Sequence, residues 1–81
     1  MSRIYVLDVP ENEDVLNVAG AEPRNEIVRV GPYFRITRPE EIAIDRRATG
    51  CRHAVWYSAL AGLEDSRVAQ HDKDALRVVD R

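Results

Sequence analysis

The stretch that most restricts the fold is EIVRVGPYFRIT, residues 26–37. Apolar and polar residues alternate on both sides of Gly31-Pro32, the period of a strand with one buried face. Gly-Pro interrupts any continuous ladder, so two strands joined by a turn are expected. If Gly31, Pro32 and Tyr33 form a three-residue loop, Val30 faces Phe34 and Val28 faces Ile36. All four apolar side chains then share one face. A two-residue loop would set Val28 against Arg35 and mix charge with apolar chains, so the pattern predicts the longer turn. That register puts Arg29 opposite Arg35 on the outer face, which is unfavourable unless acids lie nearby. EEIAID supplies them. As a third strand over 42–46, it points Ile42 and Ile44 inward, and Glu41 and Asp45 outward beside the arginines.

The same region carries helix punctuation. Thr37 and Glu40 have capping-box spacing, Pro39 suits a first turn, Arg46 and Arg47 suit a last turn, and Gly50 suits a C-cap. Ile42 and Ile44, two apart and β-branched, do not share a helix face, which favours turn plus strand. CRHAVWYSALAGL is also two-sided. Val-Trp-Tyr leans toward strand and the alanines toward helix, so 52–63 stays open between them. Elsewhere RIYVLDV reads as a strand, PENED as a polar loop, VLNVAG as a short strand closed by Gly20, RVAQH as a strand, DKD as a tight turn and ALRVV as the end of a hairpin, with a terminal helix over DKDALRVVDR, capped by Asp72, as the alternative.

Turn signals every 8–12 residues point to a mostly β domain. The expected form is a small antiparallel sheet, barrel-like or sandwich, of about five to seven short strands with room for one short helix. An α+β arrangement is the alternative. The 81 residues make one domain, 1–81. Hydrophobic content of 44% and charged content of 32% are those of a globular chain rather than a disordered one. A single cysteine allows no internal disulfide, and a chain this short buries little surface, so apolar packing must hold it, completed by a partner if need be. No apolar run approaches the ~20 residues of a membrane-spanning helix, and the N-terminus lacks a signal peptide's basic start, which predicts a cytoplasmic setting.

Eleven of the twelve basic residues are arginine. A guanidinium fork suits carboxylate and phosphate recognition, but a skew spread along the whole chain fits GC-rich coding better and points to a high-GC bacterium or its phage. The charge is segregated. Residues 1–23 carry one arginine against five acids, residues 24–53 seven arginines against four acids, and residues 54–81 four bases against five acids. A net charge of −2 is the wrong sign for an unaided non-specific DNA binder, and the acidic segment can neutralise the basic one internally.

Four groups of residues carry candidate chemistry. Cys51, His53, His71 and Asp72 would gather as a zinc site if 52–59 paired with 67–71 in one register; C-x-H is not a standard zinc spacing, and a one-residue slip disperses the set. As a nucleophile–base pair, Cys51 and His53 on one strand stand ~6–7 Å apart, long for proton transfer. The HDKD cluster has D-x-D but lacks the glycine and later glutamate of an EF-hand, so it reads as a turn. Arg29, Arg35, Arg38, Arg46, Arg47 and Arg52, with Tyr33, could form a nucleic-acid-binding face, without any recognisable RNA-binding motif. Trp56 and Tyr57 are adjacent and on a strand would face opposite ways, one into the core and one outward. Aromatics are enriched at interface centres, which makes Trp56, Tyr57 and Tyr33 the candidate partner contacts. The reading these support is a non-catalytic accessory or interaction protein that needs no cofactor and binds a protein partner or itself. Nucleic-acid binding is the alternative, and a metal or thiol enzyme the third.

Overall fold

The computed structural model describes residues 1–81 in full. Seven strands form two antiparallel sheets. Strands β1 (Ser2–Leu7), β2 (Glu26–Val30), β3 (Tyr33–Arg38) and β5 (Leu60–Glu64) make a four-stranded sheet in the order β2-β3-β1-β5. Strands β4 (Ile42–Asp45), β6 (Ser66–His71) and β7 (Ala75–Asp80) make a three-stranded sheet in the order β4-β7-β6. Three helices, α1 (Glu13–Ala21), α2 (Arg46–Thr49) and α3 (His53–Ser58), complete the chain. The architecture is therefore mostly β with an α+β element, as the turn spacing implies.

One core joins the two sheets. The four-stranded sheet contributes Ile4, Val6 and Ile36, the three-stranded sheet Ile42, Ile44, Leu76 and Val78, and the helices Val15, Ala19 and Trp56. Polar ties stitch the sheets at one end. Ser2 Oγ donates to the Glu40 carbonyl at 2.5 Å, and Ser66 Oγ accepts from the Arg3 amide at 2.8 Å. No helix is long and apolar enough to cross a membrane.

Four local expectations fail. The segment VLNVAG is helix, not strand. Val15 and Ala19 stand four apart and both are buried, with Leu16 and Val18 packed at the edge of the same stripe. The acids expected to form a loop are the helix start: Glu13 and Asp14 occupy its first turn, where the helix dipole favours negative charge. Pro10 opens the preceding 3₁₀ turn, Pro10–Asn12.

The hairpin turn has two residues, not three. Val30 pairs with Tyr33, Arg29 with Phe34 and Val28 with Arg35. Gly31 takes φ +59° as the first of the two turn residues, with Pro32 second. Glycine at that first position is the mark of a II′ hairpin, whose twist matches that of the strands. Arg29 therefore does not oppose Arg35. It lies over the Phe34 ring, 5.9 Å from its centroid, and pairs with Asp8 at 2.6 Å.

Strand β4 belongs to the other sheet, paired with β7, so it does not lie beside Arg29 and Arg35. Glu41 instead forms a two-pronged pair with Arg77, at 2.6 and 3.0 Å. Both readings of 37–50 hold in part. A strand runs to Asp45, whose carboxylate then accepts from the Arg47 amide to start α2, and Gly50 at φ +69° ends that helix. Finally, β6 pairs with β7, not with 52–59, because 53–58 is helical.

Candidate protein-binding surface

The inner residues of β1 and β3 (Ile4, Val6 and Ile36) are buried, so the alternate residues face away from the core. Register then arranges the outer face of the four-stranded sheet in three rows. Leu7, Tyr33 and Val30 form the first. Gly62, Tyr5, Arg35 and Val28 form the second. Glu64, Arg3, Thr37 and Glu26 form the third. Polarity rises from the first row to the third.

No element covers this face. Leu7, Val28, Val30 and Tyr33 are four of the eight large apolar side chains the molecule leaves exposed. Isolated exposed apolar residues are ordinary, but a contiguous group rimmed by charge marks a contact site. Its geometry is fixed from within. Tyr5 and Tyr33 meet edge-to-face at 6.3 Å, and the Tyr5 ring lies against Gly62, where an added Cβ would come within 3.9 Å of it. The Tyr5 hydroxyl donates to Glu64 at 3.0 Å, and Arg3 pairs with the same carboxylate at 2.8 Å. These two bonds, Tyr5 first, hold the Glu64 carboxyl below its usual range. Arg35 lies in the middle of the face with no ion pair.

The expected partner contacts divide. Tyr33 belongs to this face. Trp56 does not reach the surface: it is 1% exposed, and its indole N–H donates to the Asp72 carbonyl at 2.6 Å. Tyr57, 46% exposed, is the outward ring of the pair. The reason is helical rather than strand geometry: consecutive residues diverge by ~100° around an axis, and Trp56 takes the inner side. Tyr57 lies 5.0 Å from His71 and 6.4 Å from His53, and His71 in turn meets Trp56 edge-on at 5.8 Å.

The Cys51, His53, His71 and Asp72 set does not converge on a metal site. Cys51 is buried before α3, while His53 is exposed on the first turn of α3. The Asp72 carboxylate accepts from the amides of Asp74 and Ala75 in the β6–β7 turn, which lowers its pKa. The arginines do not form a common face either. Arg29 and Arg35 lie on opposite faces of one sheet, and Arg38 is buried at 8% exposure. Arg46 bonds the carbonyls of Lys73 and Cys51, and Arg47 lies near Asp74. Arg52 is exposed at the start of α3.

Sequence reasoning placed Val28 and Val30 in the core and passed over Leu7 and Tyr5. The available signal was Gly31-Pro32 itself. Glycine before proline fits a two-residue II′ turn, and that parity turns both valines outward.

No protein-family model and no curated protein matches the sequence. The fold has a match among solved structures. A chain from a structure described as the phenol hydroxylase–regulatory protein complex superposes with a TM-score of 0.77 at 13% sequence identity. The alignment covers 99% of this chain and 97% of that one, so the two are nearly coextensive. At that identity the shared property is the fold.

Proposed function

We propose that this chain is a small accessory protein that binds and regulates a larger enzyme, and that the outer face of β2-β3-β1-β5 is its docking surface. The observation that carries the reading is the uncovered row Leu7–Tyr33–Val30, continuous with Val28, on a sheet whose other face holds the core. The likeness of the whole fold to a chain from an enzyme–regulatory protein complex supports it. Such a face suits a docking role physically. It offers rigid backbone, aromatic area of low conformational entropy and a charged margin that sets orientation.

The reading is tested by placing a photo-crosslinking residue at Val28 and, as a control, at Arg67 on β6. The species joined from Val28 is then purified and reconstituted with the chain. The expected result is a complex that forms with the unmodified chain, weakens at least tenfold with Val28→Asp, and changes the enzyme's turnover. Equal crosslinking from both positions, or a complex indifferent to Val28→Asp, sinks the reading. Sedimentation of the chain alone separates a second copy from a different partner.

A further inference from the structure

At the polar end of the docking face, Arg3, Arg24, Arg35, Thr37 and Glu26 line a cleft of about 330 Å³. Three guanidinium groups thus meet one carboxylate. Two of the three are engaged. Arg3 holds Glu64 at 2.8 Å, and Arg24 holds Glu22 at 2.8 Å with Glu40 further off at 3.9 Å. The ammonium of Met1, also at the cleft, is bound to Asp80 at 2.9 Å.

Arg35 is different. It forms no ion pair, and its Nε is buried with no acceptor. Polar groups removed from water are normally satisfied, so an Arg35 guanidinium with one buried, unbonded N–H and no carboxylate partner is under-satisfied, and its two terminal amino groups are the ones left to meet an oxygen in the cleft. Tyr5 and Val28 flank Arg35 in its row, and Tyr5 is itself committed to Glu64. Glu26 is the diagonal neighbour of Arg35, opposite Thr37, yet it takes part in no ion pair.

The geometry points to a carboxylate-binding subsite in this cleft, filled by an Asp or Glu side chain of the protein partner, with Arg35 as its fork and Thr37 as an added donor. The inference rests on the docking role proposed above and names the partner's chemistry: an acidic side chain beside apolar residues that meet Leu7, Tyr33 and Val30. A planar carboxylate matches the guanidinium fork in two parallel bonds, and the adjoining apolar row excludes water from them. Glu26 acts as a local competitor, because its charge repels the incoming anion.

The test uses no partner protein, so its failure is distinct from failure of the docking reading. N-acetyl-glutamate amide is titrated into the intact chain while the Nε–Hε signal of Arg35 and the amide signal of Thr37 are followed by NMR. N-acetyl-glutamine amide and inorganic phosphate are the comparison probes. The expected result is a saturable shift at both signals with a dissociation constant of roughly millimolar order. The glutamine probe produces none, Arg35→Gln abolishes it at Thr37, Arg35→Lys weakens it, and Glu26→Gln tightens it several-fold. A linear response at Arg35 equal to that of exposed Arg67 overturns the subsite. Saturable binding of phosphate without the glutamate probe overturns the assignment to a protein carboxylate. A Glu26→Gln variant no tighter than the parent overturns the competition.

Discussion

Replacing Trp56 by Phe asks most directly whether that ring holds the core or belongs to an interface. Trp56 is 1% exposed, donates to the Asp72 carbonyl at 2.6 Å and meets His71 at 5.8 Å. Phenylalanine keeps an aromatic ring but removes the N–H and vacates about 40 Å³, worth ~1 kcal/mol at the usual cavity coefficient. The Asp72 carbonyl then loses its indole donor, which costs a further ~1–3 kcal/mol if water cannot reach it. The sum, ~2–4 kcal/mol, is a large share of the ~4–12 kcal/mol expected for a domain of this size. Urea unfolding followed by far-ultraviolet circular dichroism should show a lower midpoint at unchanged slope. Thermal unfolding should fall by upwards of about 10 °C. A stability loss under ~1 kcal/mol, combined with weakened partner binding, would refute the placement of Trp56 and return it to an interface.

Three further outcomes test other parts of the structure. Gly31→Ala should cost ~1–2 kcal/mol in chemical denaturation, because φ is +59° while nothing lies within 4 Å of the added Cβ; an unchanged midpoint would contradict the II′ turn. Val28→Asp should leave the isolated chain within ~0.5 kcal/mol of the parent, since the residue is exposed, and act on partner affinity alone; unfolding would place Val28 in the core. The carboxyls of Glu64 (Tyr5 then Arg3), Glu41 (Arg77 first), Asp72 (amides of Asp74 and Ala75) and Asp80 (the N-terminal ammonium) are all lowered in the folded state. Their stabilisation is therefore complete above the unfolded carboxyl range and lost as pH falls through the folded values. Thermal midpoints should hold steady near neutrality and drop below about pH 4. A midpoint unchanged down to about pH 2 would contradict these pairings.

Strands with clean alternation were legible: β1, β3 and the β6–β7 hairpin with its DKD turn all lie where the pattern puts them. Legibility failed where a short element depends on tertiary contacts. Helix α3 has six residues and no side-chain cap, so its form is decided by the burial of Trp56 rather than by propensity. Helix α1 failed for a different reason. Its stripe was visible only if the acids at 13 and 14 were counted as the first turn instead of as a loop. The location of β4 could not be read, because an isoleucine pair fits either sheet and only the pairing with Val78 and Leu76 selects one. The proposed docking face was half legible. Tyr33 was expected at a partner contact and lies on this exposed face, but its neighbours there depend on strand order and hairpin register, neither of which is a local property.

The register fixed by the turn is the link between sequence and surface, and it can be tested by insertion. One residue added between Pro32 and Tyr33, with the two-residue Gly31-Pro32 turn kept, would join β3 opposite Val30 and shift the parity of β2 against β3, setting Val28 against Phe34 and Ile27 against Arg35. Val28 and Val30 would turn inward, and Ile27 and Arg29 outward. Ile27, now half-buried opposite Ile36, would lose its packing, and Arg29 would lose Asp8 and Phe34. Because β2 is an edge strand with only one neighbour, the rest of the sheet can persist. The expected outcome is a chain that still unfolds cooperatively, with stability lowered by roughly 1–3 kcal/mol. It should lack the apolar half of its docking face and bind the partner at least tenfold more weakly. Amide exchange should show protection lost in β2 and kept in β1 and β3. Full partner affinity in an inserted chain whose cross-strand contacts set Val28 against Phe34 would refute the assignment of Val28 and Val30 to the interface.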